Sequence, residues 1–187
     1  MSQLPSSSAV GEYSQTERET LIRLAHAAID SALHDRPMDL TAPTPHLEEQ
    51  RGAFTTLHLH GKLRGCIGYV LPVASLYKTV ANTAVGAAFE DPRFERVKAP
   101  EAPELKVEIS VMSLLFPIEP KDVEVGKHGL LISWNMRRGL LLPQVATERN
   151  WDAQTFLSET CRKAMLPVDA WQRGASIEAF TAEIFGE

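Results

Sequence analysis

The stretch Leu105-Lys106-Val107-Glu108-Ile109-Ser110-Val111-Met112 alternates strictly, and this constrains the fold more than any other segment. Leu105, Val107, Ile109 and Val111 share one side of an extended chain, and Lys106, Glu108 and Ser110 share the other, which is the pattern of a half-buried strand. Ala53–Leu59 is rich in β-branched and aromatic residues and reads as a second strand. Gly61-Lys62 marks a turn, and 65–70 returns as the second arm of a hairpin. Strands at 130–134 and 140–142 pair around Asn135-Met136-Arg137-Arg138-Gly139, and 177–185 reads as a final strand. Helices interrupt these strands. Ser14-Gln15-Thr16-Glu17 has the form of a capping box, and Leu21, Leu24, Ala25, Ala28, Ile29 and Leu33 then recur at helical spacing, predicting a helix over 16–33. An alanine-rich helix is expected over 73–90, stopping near Asp91 because the residue before Pro92 disfavours helical geometry. A third is expected over 152–164. Pro37, Pro43 and Pro45 make 35–49 a surface connection. Hairpins with flanking helices indicate an α+β protein of largely antiparallel sheets rather than regular βαβ winding.

At 187 residues the chain fits one domain, or two small lobes sharing a core, and a single domain is expected over 14–187 after a disordered leader at 1–13. The leader lacks a basic region followed by an apolar one, so it is not a secretory signal, and no apolar run is long enough to span a bilayer. Cys66 and Cys161 are the two cysteines, far apart, and fit two free thiols in a reducing cytoplasm rather than a disulfide scaffold. A net charge of −5 argues against nucleic acid as a main partner. Arg137-Arg138 and Arg162-Lys163 are short basic exceptions.

Chemistry concentrates at Leu63-Arg64-Gly65-Cys66-Ile67-Gly68. On a regular strand Arg64 and Cys66 project from one face, and a guanidinium beside a thiol favours the reactive thiolate. Gly65 and Gly68 let another backbone or a ligand approach. The competing reading makes Cys66 a small packing residue and Arg64 a structural partner of Glu108 or Asp91. Glu108 stands on the polar face of its strand, as an exposed carboxylate or, if that face lines a cleft near Cys66, as a general base or a metal ligand. His128, between Lys127 and Gly129, is either a surface turn histidine or a proton-transfer group. Arg93, in Asp91-Pro92-Arg93-Phe94, either accompanies helix termination or reaches an anionic ligand. Gln144 after Leu142-Pro143 caps backbone or faces a pocket. His58 and His60 suit a metal only with a third ligand, so neither metal nor cofactor is expected. Cys161 lies on an apolar helical face and is expected to be buried. There is no Gly-rich phosphate loop, no paired CxxC and no nucleophile elbow.

The hexapeptide 63–68 resembles the hallmark of the AMMECR1 family. The resemblance continues through Arg51-Gly52-Ala53-Phe54-Thr55-Thr56-Leu57, Ala88-Phe89-Glu90-Asp91-Pro92-Arg93-Phe94, Glu108-Ile109-Ser110-Val111, Gly126-Lys127-His128-Gly129-Leu130 and Gly139-Leu140-Leu141-Leu142-Pro143-Gln144-Val145. It implies an α+β fold with a larger and a smaller lobe, the smaller expected around 50–100, and it implies a site more firmly than a reaction. Related bacterial and archaeal genes often neighbour genes for Memo-like and radical-SAM-like proteins, which makes those proteins, or a small anionic ligand, the expected partners. The function expected is that of a cysteine-centred enzyme or protein-modification component. Cys66 would be the nucleophile or the site of a covalent adduct, Arg64 would stabilise the thiolate or bind an anionic group, and Glu108 and His128 would move protons. Gly65, Gly68, Arg93 and Gln144 would bind the ligand, with Arg64, Cys66 and Glu108 facing one cleft. The alternative is a non-catalytic module using 63–68 as a docking surface.

Overall fold

The computed structural model describes residues 11–187. In chain order the elements are α1 (Gln15–Leu33), α2 (Pro45–Glu48), β1 (Ala53–Leu59), β2 (Lys62–Tyr69), α3 (Leu76–Phe89), β3 (Leu105–Met112), β4 (Phe116–Pro117), β5 (Gly129–Trp134), β6 (Arg137–Leu141), α4 (Pro143–Glu148), α5 (Ala153–Lys163), β7 (Ser176–Phe180) and β8 (Ala182–Gly186). The class is α+β, as expected. Among the described residues two compact units form: residues 11–112 with 183–187, and residues 113–182. The stretch 50–100, expected as the smaller lobe, instead supplies β1, β2 and α3 of the larger unit. The expected leader lies mostly outside the described residues, but Tyr13 at its end is buried and stacks on His46.

The larger unit is a four-stranded sheet in the order β2-β1-β3-β8, with α1 and α3 against one face. The capping box at Ser14 and Glu17 closes both ways at the start of α1, satisfying backbone donors that have no intrahelical acceptor. Leu21, Leu24, Ala25, Ala28 and Ile29 form its buried stripe. Val80, Ala84, Ala87 and Ala88 of α3 pack into the same core as Ala53 and Leu57 of β1 and Val107, Ile109 and Val111 of β3. β1 turns into β2 through His60-Gly61 alone, both at positive φ (50° and 75°), the geometry a two-residue hairpin favours.

The smaller unit holds a second sheet, β4-β7-β5-β6, with α5 packed on β5 and β6. Leu130, Ile132, Phe156, Leu157, Cys161, Ile177 and Ala179 are in its core. The single strand expected over 177–185 is two strands: β7 pairs with β5 in this sheet, and after Thr181 the chain continues as β8 in the other. Residue-by-residue pattern cannot reveal such a change of sheet, because both halves have ordinary strand character. Among the described residues no helix is long and apolar enough to cross a membrane.

Candidate functional site

The cross-strand register assembles the site. Cys66 of β2 stands opposite Thr56 of β1, and Thr56 stands opposite Glu108 of β3. Directly opposed residues in antiparallel strands share a face, so Cys66, Thr56 and Glu108 form one row. That row lies on the face away from α1 and α3, because the neighbouring Thr55 and Leu57 point inward and are buried. Thr56 Oγ1 donates to Cys66 Sγ at 3.3 Å. Glu108 is two strands away from Cys66, roughly 10 Å at ordinary strand spacing. It therefore does not touch the sulfur and can act only on something bound over the row.

A β-bulge sets this arrangement. Leu57 pairs with Gly65 and His58 with Leu63, leaving Arg64 as the extra residue. Arg64 consequently does not flank the sulfur as regular alternation predicts. Its Nε and Nη2 donate to the two oxygens of Glu101 at 3.0 and 3.1 Å, and its Nη1 donates to the Glu95 carbonyl at 2.6 Å. The fork holds the Glu101 carboxyl below the usual carboxylate range, helped by the Lys98 backbone N–H. Arg64 is thus a structural arginine, although its partner is neither Glu108 nor Asp91.

The arginine that does meet Cys66 is Arg93. β2 is an edge strand, so the Cys66 backbone groups pointing away from β1 need partners from elsewhere. The Cys66 N–H donates to Asp91 Oδ2 at 2.9 Å, and Arg93 Nη2 donates to the Cys66 carbonyl at 3.3 Å. Asp91 also accepts from Arg93 Nε (2.9 Å), Nη2 (2.7 Å) and backbone N–H (3.1 Å). The Asp91 side chain is only 2% exposed. The Arg93 guanidinium, with the Cys66 and Arg93 backbone donors, holds its carboxyl far below the ordinary range. Arg93, half-exposed, is held more firmly protonated in return, chiefly by its bonds to Asp91. Asp91 and Arg93 at one end, and Glu101 with the Glu95 carbonyl at the other, strap residues 91–104 along the edge of the hexapeptide.

The two glycines are close-approach positions. A Cβ on Gly65 would lie 2.0 Å from the Ala87 carbonyl oxygen in α3, and one on Gly68 would lie 2.3 Å from the Phe54 ring. Both spaces are filled by the protein itself, so these glycines seat the strand against its neighbours rather than leave room for a ligand.

The remaining expected residues belong to the smaller unit. His128 is 6% exposed, its Nδ1 accepts from the Glu124 N–H at 3.0 Å, and its ring meets Phe116 edge-on. Burial pushes its pKa down, aided by Lys127. Gln144 is exposed in the first turn of α4, a helix the sequence reading did not anticipate. Cys161 is fully buried, and burial pushes its thiol pKa up.

Among the described residues no three His, Cys, Asp or Glu side chains converge as a metal site. His60 leaves the strand at the hairpin turn and pairs with Glu104 at 3.6 Å. Elemental analysis of freshly purified protein is expected to find no stoichiometric zinc or iron; about one tightly held ion per chain would overturn this.

Thr56 and Asp91 are the functional neighbours that sequence reasoning did not assign to Cys66. Asp91 carried a signal, as a carboxylate beside a helix-ending proline. Thr56 carried none, since only the register places it.

Comparison with known proteins agrees over nearly the whole chain. The AMMECR1 family profile matches residues 22–185. A protein of Pyrococcus furiosus is 42% identical over 186 residues, covering 90% of this chain and 87% of its own length. One from Methanothermobacter thermautotrophicus is 41% identical, covering 93% and 96%. The crystal structure of an uncharacterized protein from Pyrococcus horikoshii is similar with a TM-score of 0.74 at 38% identity, covering 95% of this chain and 94% of that one.

Proposed function

The chain belongs to the AMMECR1 family, and from that premise we propose that it is a cysteine-centred enzyme or protein-modification component whose nucleophile is Cys66. One observation carries the reading: the bulge at Arg64 turns Cys66 to the outer face, where Thr56 donates to its sulfur and the Asp91–Arg93 pair fixes its backbone. Bulges beside functional positions re-aim a side chain in this way. For a carbonyl substrate the thiol proton leaves to solvent, sulfur bonds to the carbonyl carbon, and the carbonyl π pair moves onto its oxygen. Arg93 would hold an anionic group of the substrate through the part of its guanidinium that Asp91 leaves open. Glu108 would meet the substrate rather than the sulfur. A cytoplasmic setting suits the two free thiols, and Memo-like and radical-SAM-like proteins are the partners we propose.

Exposed Leu63, which pairs with His58 on the outer face, supports a second reading in which the same face is a non-catalytic docking surface. The two readings separate on Thr56→Val. Loss of the hydrogen bond to sulfur is expected to slow alkylation of Cys66 at neutral pH about fivefold, the worth of one such bond. Intact-mass time courses with iodoacetamide measure it. An unchanged rate would leave Cys66 as packing and favour docking.

A further inference from the structure

The two basic exceptions in this acidic chain, Arg137-Arg138 and Arg162-Lys163, are 24 residues apart in sequence but meet in the smaller unit. α5 packs on β6, and the Gly139 position of β6 lies so close to the C-terminus of α5 that a Cβ there would stand 2.3 Å from the Ala164 nitrogen. Arg137 Nη1 donates to the Met165 carbonyl at 2.6 Å. Among the described residues Arg137, Arg138 and Lys163 make no ion pair, while Arg162 pairs with Glu159. β6 is also an edge strand, bonded to β5 alone, and no backbone hydrogen bond reaches it from outside its sheet among the described residues. At the hairpin end of β6, Met136 is 99% exposed and Met165 is 76% exposed. Beside them is a groove of about 410 Å³ lined by Trp134, Asn135, Met136, Arg137, Leu166 and Pro167.

We infer that the open edge of β6 is a docking site for an extended acidic segment of a partner protein, which adds to the sheet as a fifth strand. An edge with unpaired backbone groups recruits a strand, and its side chains choose which one. Successive side chains alternate between faces, so Arg137 and Arg138 offer one cation on each face of β6. The matching strand carries two adjacent acidic residues, one for each face, with an apolar residue beside them for the methionine-rimmed groove. A second copy paired through the same edge with these residues opposed would set arginine against arginine, which disfavours it relative to an acidic strand. Unpaired cations on a lone edge strand would otherwise serve only to repel other strands, and the experiment separates the two roles.

The test uses the full chain and a fluorescent octapeptide with a central Glu-Glu pair flanked by valine and threonine, read by anisotropy at two salt concentrations. Binding is expected, weakening as salt rises. Arg138→Glu, whose native side chain makes no hydrogen bond or ion pair among the described residues, is expected to weaken it at least about tenfold with unchanged thermal unfolding. A peptide with both glutamates on one face, Glu-Val-Glu, is expected to bind at least about tenfold more weakly, and one N-methylated at consecutive amides, which blocks both of its edges, is expected not to bind. No binding, undiminished binding to Arg138→Glu, or equal binding of the N-methylated peptide would overturn the proposal. So would tighter binding of a single-stranded oligonucleotide through the same arginines.

Discussion

In a brief alkylation of the folded protein, Cys66 is expected to react at least about a hundredfold faster than Cys161. Cys66 is partly exposed and turned to the outer face of its sheet, whereas Cys161 is fully enclosed in the core of the smaller unit. A buried thiol reacts only when its surroundings open, and an opening cost of about 3 kcal/mol already lowers the reactive fraction more than a hundredfold. Burial also raises the Cys161 pKa, which reduces its thiolate in whatever state is open. Both effects act in the same direction. Peptide mapping after timed quenching gives the two rates, with urea-unfolded protein as the reference in which they should converge. Comparable rates in the folded chain would remove the ground for treating Cys66 as the reactive centre.

Asp91→Ala is expected to cost about 3 kcal/mol, more than the loss of one ordinary hydrogen bond. It leaves the Cys66 N–H and the Arg93 fork without their acceptor, and hydrogen bonds to a charged group are the costly ones to lose. Arg93 can turn to solvent, which keeps the figure below that of a fully enclosed ion pair. Asp91→Asn keeps an acceptor for the Cys66 N–H but not the charge, and should cost less. The pH dependence has a definite sign. The folded-state pKa of Asp91 is depressed, so its contribution is full above the unfolded carboxylate value, near pH 4, and is lost as pH falls from there toward the folded-state value. Urea midpoints of wild type and Asp91→Asn should therefore differ most at pH 6–7 and converge below about pH 4. A difference that held constant into acid would mean that the carboxylate charge is not what fastens the strap.

Fold class, the placement of the three long helices and the burial of Cys161 follow from local pattern. The alternation of Leu105–Met112 fixes which side of β3 is buried, because a strand has a period of two wherever it lies. The Ser14 and Glu17 pair starts α1 where it should, since a capping box acts within four residues. Pro92 ends the alanine-rich helix for an equally local reason.

The candidate site depends on one residue of register, and that was decided in three dimensions. Counting evenly back from the Leu59–Lys62 pair at the hairpin turn would set Cys66 opposite Thr55, on the face covered by α3. The bulge at Arg64 slips the pairing by one, and a slip of one exchanges faces. Gly65 then meets the Ala87 carbonyl in α3, where no side chain fits, and Cys66 meets Thr56 outside. Arg64 is left to bind Glu101, and Arg93 arrives beside Cys66 from 27 residues along the chain. Thr56 and Glu101 were not legible as candidates in the sequence, whereas Arg64, Gly65, Cys66 and Arg93 were. Their pairing was not, because helix α3 and the strap over 91–104 select the bulged register by packing against the strand, and packing partners distant in sequence leave no local periodic signal.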